Sequence, residues 1–160
     1  EAMPIIRSAV PSAHLVVLGS GELEKDLRRR AAQLHLDGSV TFAGFRPDAA
    51  RYLPALDLFV LSSVEEGLGT STLDAQAAGV PVLVTRAGGS PETVRDGETG
   101  LLADPADAEG LARQAIILLG DRERRIRMGR AGRRHIAEAF SADRMVEDTL
   151  AIYRELLSRG

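Results

Sequence analysis

The chain alternates short apolar runs with amphipathic stretches. Residues 14–18 (His-Leu-Val-Val-Leu) read as a buried strand that stops at Gly19-Ser20-Gly21. Over residues 22–34 the apolar positions are Leu23, Leu27, Ala31 and Leu34, at the spacing of a helix. A strand at 40–42 precedes the turn Gly44-Phe45-Arg46-Pro47, and residues 51–56 suit a short helix broken near Pro54. The apolar run 58–61 predicts a third strand. It leads through Glu66-Gly67-Leu68-Gly69 into a helix over 70–78, which Gly79 is placed to end. Residues 81–84 predict a strand with Pro81 at its first position. Ser90-Pro91 reads as a helix N-cap followed by proline in the first turn. Asp96-Gly97 is a turn and 100–102 the last strand. Helices are predicted over 107–119, 123–139 and 142–158, with Ser141 capping the last.

Near-continuous apolar strands, each followed by a helix, indicate a parallel sheet covered on both faces. The predicted class is α/β: a Rossmann-like, doubly wound parallel sheet flanked by helices, with a helical C-terminus. At 160 residues the chain fits one domain, residues 1–160, able to bury about 70% of its unfolded surface. A hydrophobic fraction of 44% beside 27% charged residues is that of an ordinary globular protein. A net charge of -3 gives no electrostatic reason for a nucleic-acid partner. The lack of cysteine removes disulfides and thiolate metal sites. No apolar run approaches the roughly 20 residues that span a bilayer, and no stretch resembles a signal peptide, so the expected location is cytoplasmic. Lys25 is the only lysine, which carries no functional weight.

Several candidates for chemistry are weak. Gly19-Ser20-Gly21 follows a strand and precedes a helix, but Glu24 stands where a dinucleotide fingerprint needs its third glycine, and a tight turn explains the loop. There is no Gly-x-x-x-x-Gly-Lys sequence. His14, His35 and His135 lack ligand spacing, and no Asp-x-Asp pair is present to hold a divalent ion, so no metal site is expected. Arg122, Arg124, Arg125, Arg127, Arg130, Arg133 and Arg134 line a basic helix whose thin apolar face fits a solvated surface better than a membrane-surface helix. Gly88-Gly89-Ser90-Pro91-Glu92 has the residues of a turn into a capped helix.

The stretch from Glu66 to Asp74 stands apart because its parts agree. Gly67 and Gly69 let a ligand approach the backbone closely. The helix start that follows offers unpaired amides and partial positive charge to a phosphate. It also follows the carboxyl end of a strand, where ligands sit in open α/β sheets. Carboxylates at Glu66 and Asp74 suit a sugar and a ribose, so the whole suggests a nucleotide-sugar site.

These residues resemble the C-terminal domain of the family-four retaining glycosyltransferases of the GT-B fold. The likeness runs over nearly the whole chain. It rests on Leu18-Gly19-Ser20-Gly21, Val40-Thr-Phe-Ala-Gly44, Glu66-Gly-Leu-Gly69, Ala78-Gly-Val-Pro-Val82, Gly88-Gly-Ser-Pro-Glu92, Asp96-Gly-Glu-Thr-Gly-Leu-Leu102, Met128-Gly129 and Phe140-Ser141. The resemblance implies a nucleotide-diphosphosugar donor (UDP-, GDP- or ADP-sugar), no cofactor and no metal. Glu66 becomes the catalytic residue, its carboxylate hydrogen-bonding the donor sugar hydroxyls. Gly67, Leu68, Gly69 and Thr70 meet the sugar and diphosphate, Asp74 grips the ribose, and Phe45 and Arg46 lie against the base. Transfer is expected to retain anomeric configuration through an oxocarbenium-like transition state, with the donor phosphate assisting deprotonation of the acceptor.

Two departures accompany the resemblance. The family usually carries glutamate where this chain has Asp74; aspartate is shorter by about 1.5 Å. The chain also begins inside what corresponds to the domain's first helix. The preceding strand, the diphosphate-neutralising arginine and lysine, and the N-terminal acceptor domain are expected to lie outside it. By analogy that strand is central, so its loss exposes sheet edges and invites gap closure, a strand-swapped homodimer or another chain. The expected activity is that of the donor-binding half of a glycosyltransferase, inactive alone and touching membrane only through its parent, if at all. The rivals are a non-catalytic nucleotide-sugar-binding module and a nucleotide-sugar epimerase.

Overall fold

A computed structural model describes residues 1–159. Its helices are α1 (Ala2–Ala9), α2 (Glu24–Gln33), α3 (Thr70–Ala77), α4 (Ala108–Gly120), α5 (Arg122–Ala139) and α6 (Ala142–Ser158). Its strands are β1 (Leu15–Leu18), β2 (Val40–Gly44), β3 (Phe59–Leu61), β4 (Val82–Thr85) and β5 (Gly100–Ala103). The expected elements are present with small shifts at their ends. Asp107, Asp121 and Ser141 cap α4, α5 and α6 by accepting from the amides of Gly110, Arg124 and Arg144. The helix expected at 51–56 is instead two 3-10 turns, Ala49–Arg51 and Leu53–Ala55, with Pro54 tolerated in the first turn of the second. Ser90 is not an N-cap. It is the first residue of a short 3-10 helix, Ser90–Thr93, and Gly89 holds the cap position.

β4 lies between β3 and β5, all parallel, with Leu83 opposite Val60 on one side and Leu101 on the other. Every residue of β4 and β5 is buried. Alternate side chains feed opposite layers, as the two-residue period of a strand requires. Leu83, Leu101 and Ala103 join Ala2 and Ile6 of α1, Ala112, Ala115 and Leu118 of α4, and Met128 of α5. Val82, Val84 and Leu102 pack with Leu53, Ala75, Val80 and Val94 on the other face, beneath α3. The result is a three-layer α/β/α arrangement.

β1 and β2 form a separate parallel pair, in register from Leu15 opposite Val40 to Leu18 opposite Gly44. β1 does not hydrogen-bond to β3, so the parallel sheet is in two parts and the gap expected from the sequence has not closed. Accordingly Val16 and Val60, both apolar strand residues, remain exposed.

α5 seats against α3 through two glycines. A Cβ on Gly129 would run into the carbonyl oxygen of Gly79, and one on Gly132 would lie 3.2 Å from Cγ and Oε1 of Gln76. Met128 sits in the core while the arginines of α5 face outward, which supports the solvated-face reading of that helix. Arg125 is the exception. Its guanidinium donates to the carbonyls of Leu118 and Leu119 at 2.8 and 2.6 Å, closing the end of α4, and to Asp57 at 3.0 Å. No described helix is long and apolar enough to cross a membrane.

His135 is buried on α5, edge-on to Phe140 with ring centres 5.5 Å apart, and neither ring nitrogen has a hydrogen-bond partner. Burial, helped by the charge of Arg95 and opposed by Glu98 and Glu138, holds its pKa below the ordinary 6.5.

Two outcomes follow from these contacts. Gly129→Ala is expected to cost about 1–3 kcal/mol of stability, read as a lower thermal midpoint. Gly120→Ala, with nothing within 4 Å of the added Cβ, is the matched control and is expected to raise the midpoint slightly. For His135 the unfolded chain binds the proton more readily than the native one. Stability is therefore full above pH 6.5 and is lost as pH falls through and below that value. Urea titrations between pH 7.5 and 5 are expected to show a flatter profile for His135→Leu than for the parent.

Candidate functional site

The loop between β3 and α3 is built around Glu66. Its Oε2 accepts from the Ser63 hydroxyl at 3.1 Å and its Oε1 from the Gly67 amide at 3.1 Å. The carboxylate is half-buried, has no ion-pair partner among the described residues, and keeps lone pairs free for further donors. Ser63 was not singled out by sequence reasoning, although its place three residues before the acid was the available signal.

Gly69 is the N-cap of α3 and is left-handed, with φ 70 and ψ 54. A side chain would be strained there, and its Cβ would sit 3.3 Å from both Leu61 Cδ2 and Ser90 Oγ. No side chain caps α3. The Thr72 amide turns back to the Gly69 carbonyl at 2.8 Å, while the amides of Thr70 and Ser71 take no acceptor among the described residues. The segment 62–74 contains no lysine or arginine. Its positive potential therefore comes from backbone amides and the helix end.

Two hydroxyls flank this helix start. Thr72 Oγ1 and Ser90 Oγ lie 3.5 and 3.3 Å from the place a Gly69 Cβ would occupy. Both residues are almost wholly buried, at 0% and 1% exposure, and neither hydroxyl has a partner. A buried polar atom left without a partner costs about 1–3 kcal/mol. The pair lies beside the free amides of the helix start. Neither hydroxyl was legible as part of a site in the sequence, because Thr72 reads as an ordinary helix residue and Ser90 as a cap.

Of the residues singled out from the sequence, Glu66, Gly67, Leu68, Gly69 and Thr70 form one continuous loop and helix start. Asp74 follows one turn further along α3, exposed and without an ion pair among the described residues. Phe45 and Arg46 follow β2 in the other part of the sheet, both exposed, Phe45 to 72%. No hydrogen bond joins them to the Glu66 loop among the described residues. They do adjoin the first glycine turn: the Gly19 amide donates to the Gly44 carbonyl at 2.9 Å.

Comparison with known proteins gives this geometry its context. The family model "Glycosyl transferases group 1" matches residues 1–135. The chain belongs to the group 1 glycosyltransferases. It is 37% identical over 143 residues to the lipopolysaccharide core biosynthesis glycosyltransferase LpsE of Rhizobium meliloti, covering 89% of this chain and 42% of that protein. HepE of Anabaena, solved in complex with UDP, superposes with a TM-score of 0.82 at 25% identity, over 96% of this chain and 44% of that one. Sucrose-phosphate synthase from Thermosynechococcus elongatus superposes at 0.85 with 26% identity, over 99% and 42%. The group 1 chain described here thus spans well under half the length of these relatives and corresponds to their C-terminal part. Its α/β architecture is that of the Rossmann-like C-terminal domain of GT-B glycosyltransferases.

The site predicts its own sensitivity. Gly69→Ala is expected to lower the thermal midpoint, because the added Cβ crowds Leu61 and Ser90 as well as straining the left-handed helix start. Gly38→Ala, equally left-handed at φ +76 but with open space around it, is expected to lower it less.

Proposed function

We propose that this chain is the donor-binding half of a retaining, metal-independent glycosyltransferase that transfers a sugar from a nucleoside-diphosphate sugar to an acceptor bound by another domain. The observation that carries the reading is the α3 start. There the free amides of Thr70 and Ser71 follow closely on the anchored carboxylate of Glu66, and the buried, unpaired hydroxyls of Thr72 and Ser90 lie around Gly69 between them. Amides and hydroxyls donate to a diphosphate, while a carboxylate accepts from sugar hydroxyls. The polarity of the site thus matches a sugar phosphate read from both ends. HepE, whose structure superposes on this chain, was solved in complex with UDP, which supports a nucleotide as the ligand.

In this mechanism Glu66 fixes the sugar by accepting from its hydroxyls, and the α3 amides stabilise the negative charge that grows on the departing diphosphate. Asp74, one turn along the helix, accepts from the ribose diol. Phe45 and Arg46 carry the base, largely through backbone groups. The segment 62–74 supplies no cationic side chain, so the remaining neutralisation falls to basic groups outside that segment. With the acceptor assigned to another domain, the isolated chain is expected to transfer nothing.

The test is turnover of the full-length protein with UDP-, GDP- and ADP-sugars. Glu66→Gln is expected to lower kcat by roughly a hundredfold, equivalent to about 2.7 kcal/mol of transition-state stabilisation. Nucleoside diphosphate affinity should stay nearly constant, since that ligand lacks the sugar. Asp74→Ala should weaken binding of the same nucleotide by about 1.5–3 kcal/mol, and Asp74→Glu, with its longer reach, should tighten it. A parent with intact nucleotide-sugar binding but no turnover would instead make this domain a non-catalytic binding module. Epimerised donor formed without acceptor would make it an epimerase. Transfer by the purified 160-residue chain would refute the proposed inactivity.

A further inference from the structure

The loop after β4 touches the Glu66 loop more intimately than a turn requires. Its residues were legible in the sequence only as a turn into a helix. In the structure Gly88 and Gly89 lie directly on the peptides of Glu66 and Gly67. The Gly89 amide donates to the Gly67 carbonyl at 2.8 Å. A Cβ on Gly89 would stand 2.7 Å from that same oxygen, and one on Gly88 would run into the carbonyl of Glu66. These are backbone neighbours, which cannot move aside as a flexible side chain can.

The same segment is anchored behind. Gln76, fully buried on α3, donates through Nε2 to the Thr93 carbonyl at 2.8 Å, and the Thr93 hydroxyl donates to the Ser90 carbonyl at 2.8 Å. Just before the loop, Thr85 at the end of β4 donates to the Ser63 carbonyl at 2.5 Å. Ser63 is the residue whose hydroxyl holds Glu66 Oε2. The end of β4 and its loop therefore reach Glu66 by two routes: through Ser63 to its carboxylate, and through Gly88 and Gly89 to its backbone.

We propose that Thr85, Gly88 and Gly89 are positioning residues for Glu66. They set the place of its carboxylate from the rigid end of the most buried strand, without touching the donor themselves. The inference rests on the donor-site reading given above. Gly88 and Gly89 are glycine here because the Glu66–Gly67 backbone occupies the space a side chain would need, not because a phosphate does. A displacement of order 1 Å in a positioned group can cost up to about a hundredfold in rate, so a small shift of this loop has a measurable consequence.

Gly89→Ala is the informative variant. Gly89 has an ordinary backbone conformation, φ -80 and ψ -2, so alanine adds a contact without a conformational penalty. In the full-length enzyme it is expected to lower kcat roughly tenfold or more, with UDP affinity within twofold of the parent. In combination with Glu66→Gln it is expected to add little further loss, since both changes act through one group. If Gly89→Ala does not fold, Thr85→Val, close in shape and lacking only the hydroxyl donor, is measured in the same cycle and is expected to behave alike.

Losses that add in full in the double variant, or a loss of UDP affinity matching the loss of kcat, would overturn the positioning role. Unchanged kcat in the variants, with Glu66→Gln still impaired, would overturn it alone. Unchanged kcat in Glu66→Gln itself would overturn both this role and the donor-site reading beneath it.

Discussion

The burial of β4 is the constraint from which the arrangement follows. Val82, Leu83 and Val84 alternate between two apolar layers, so this strand can neither slide by one residue nor turn over without exposing one layer. β3 is held to β4 by the parallel ladder, and α3 is held over it through Ala75 and, just beyond the helix, Val80. Once those are in place, the peptide between β3 and α3 has little freedom. Its tight passage is met by Gly67 and Gly69 on one side and by Gly88 and Gly89 on the other. The hydrophobic effect thus acts at a distance: apolar burial well below the surface decides where a carboxylate and two hydroxyls stand.

The glycines of this protein divide by what occupies the missing side chain's place. At Gly129 and Gly132 it is another helix, at Gly88 and Gly89 a neighbouring loop, and at Gly69 the hydroxyl of Ser90 beside a left-handed turn. At Gly19 and Gly21 it is open space. Glycine-rich stretches are commonly taken as marks of ligand contact, and here Gly88 and Gly89 instead mark backbone packed on backbone.

The fold was largely legible because its main signal is local. Runs such as Leu58-Phe-Val-Leu61 and Pro81-Val-Leu-Val84 read as strands, though only the second is fully buried, and the helices carry their own caps at Asp107, Asp121 and Ser141. The candidate site was legible where the chemistry is contiguous, from Glu66 to Asp74. It was not legible where contacts come from afar. Ser90 reads as a cap from its neighbours, yet it is the first residue of the 3-10 turn, and its hydroxyl lies beside Gly69. Thr85 and Ser63 are unremarkable in sequence and meet only because parallel strands bring their ends together. The 3-10 turns around Pro54 likewise depend on Leu53 and Leu56 reaching the core, which overrides the plain helical period.

The division of the parallel strands into two sets has a thermodynamic meaning of its own. β4 and β5 lie within both cores, whereas β1 and β2 contribute no residue to either core cluster. The smaller pair is then the less costly unit to open, a local transition well below global unfolding. It also carries Phe45 and Arg46, while the larger set carries Glu66 and Asp74. On the donor-site reading proposed above, a nucleotide held by both sets is a clasp between them, and the bound chain opens less readily than the free one.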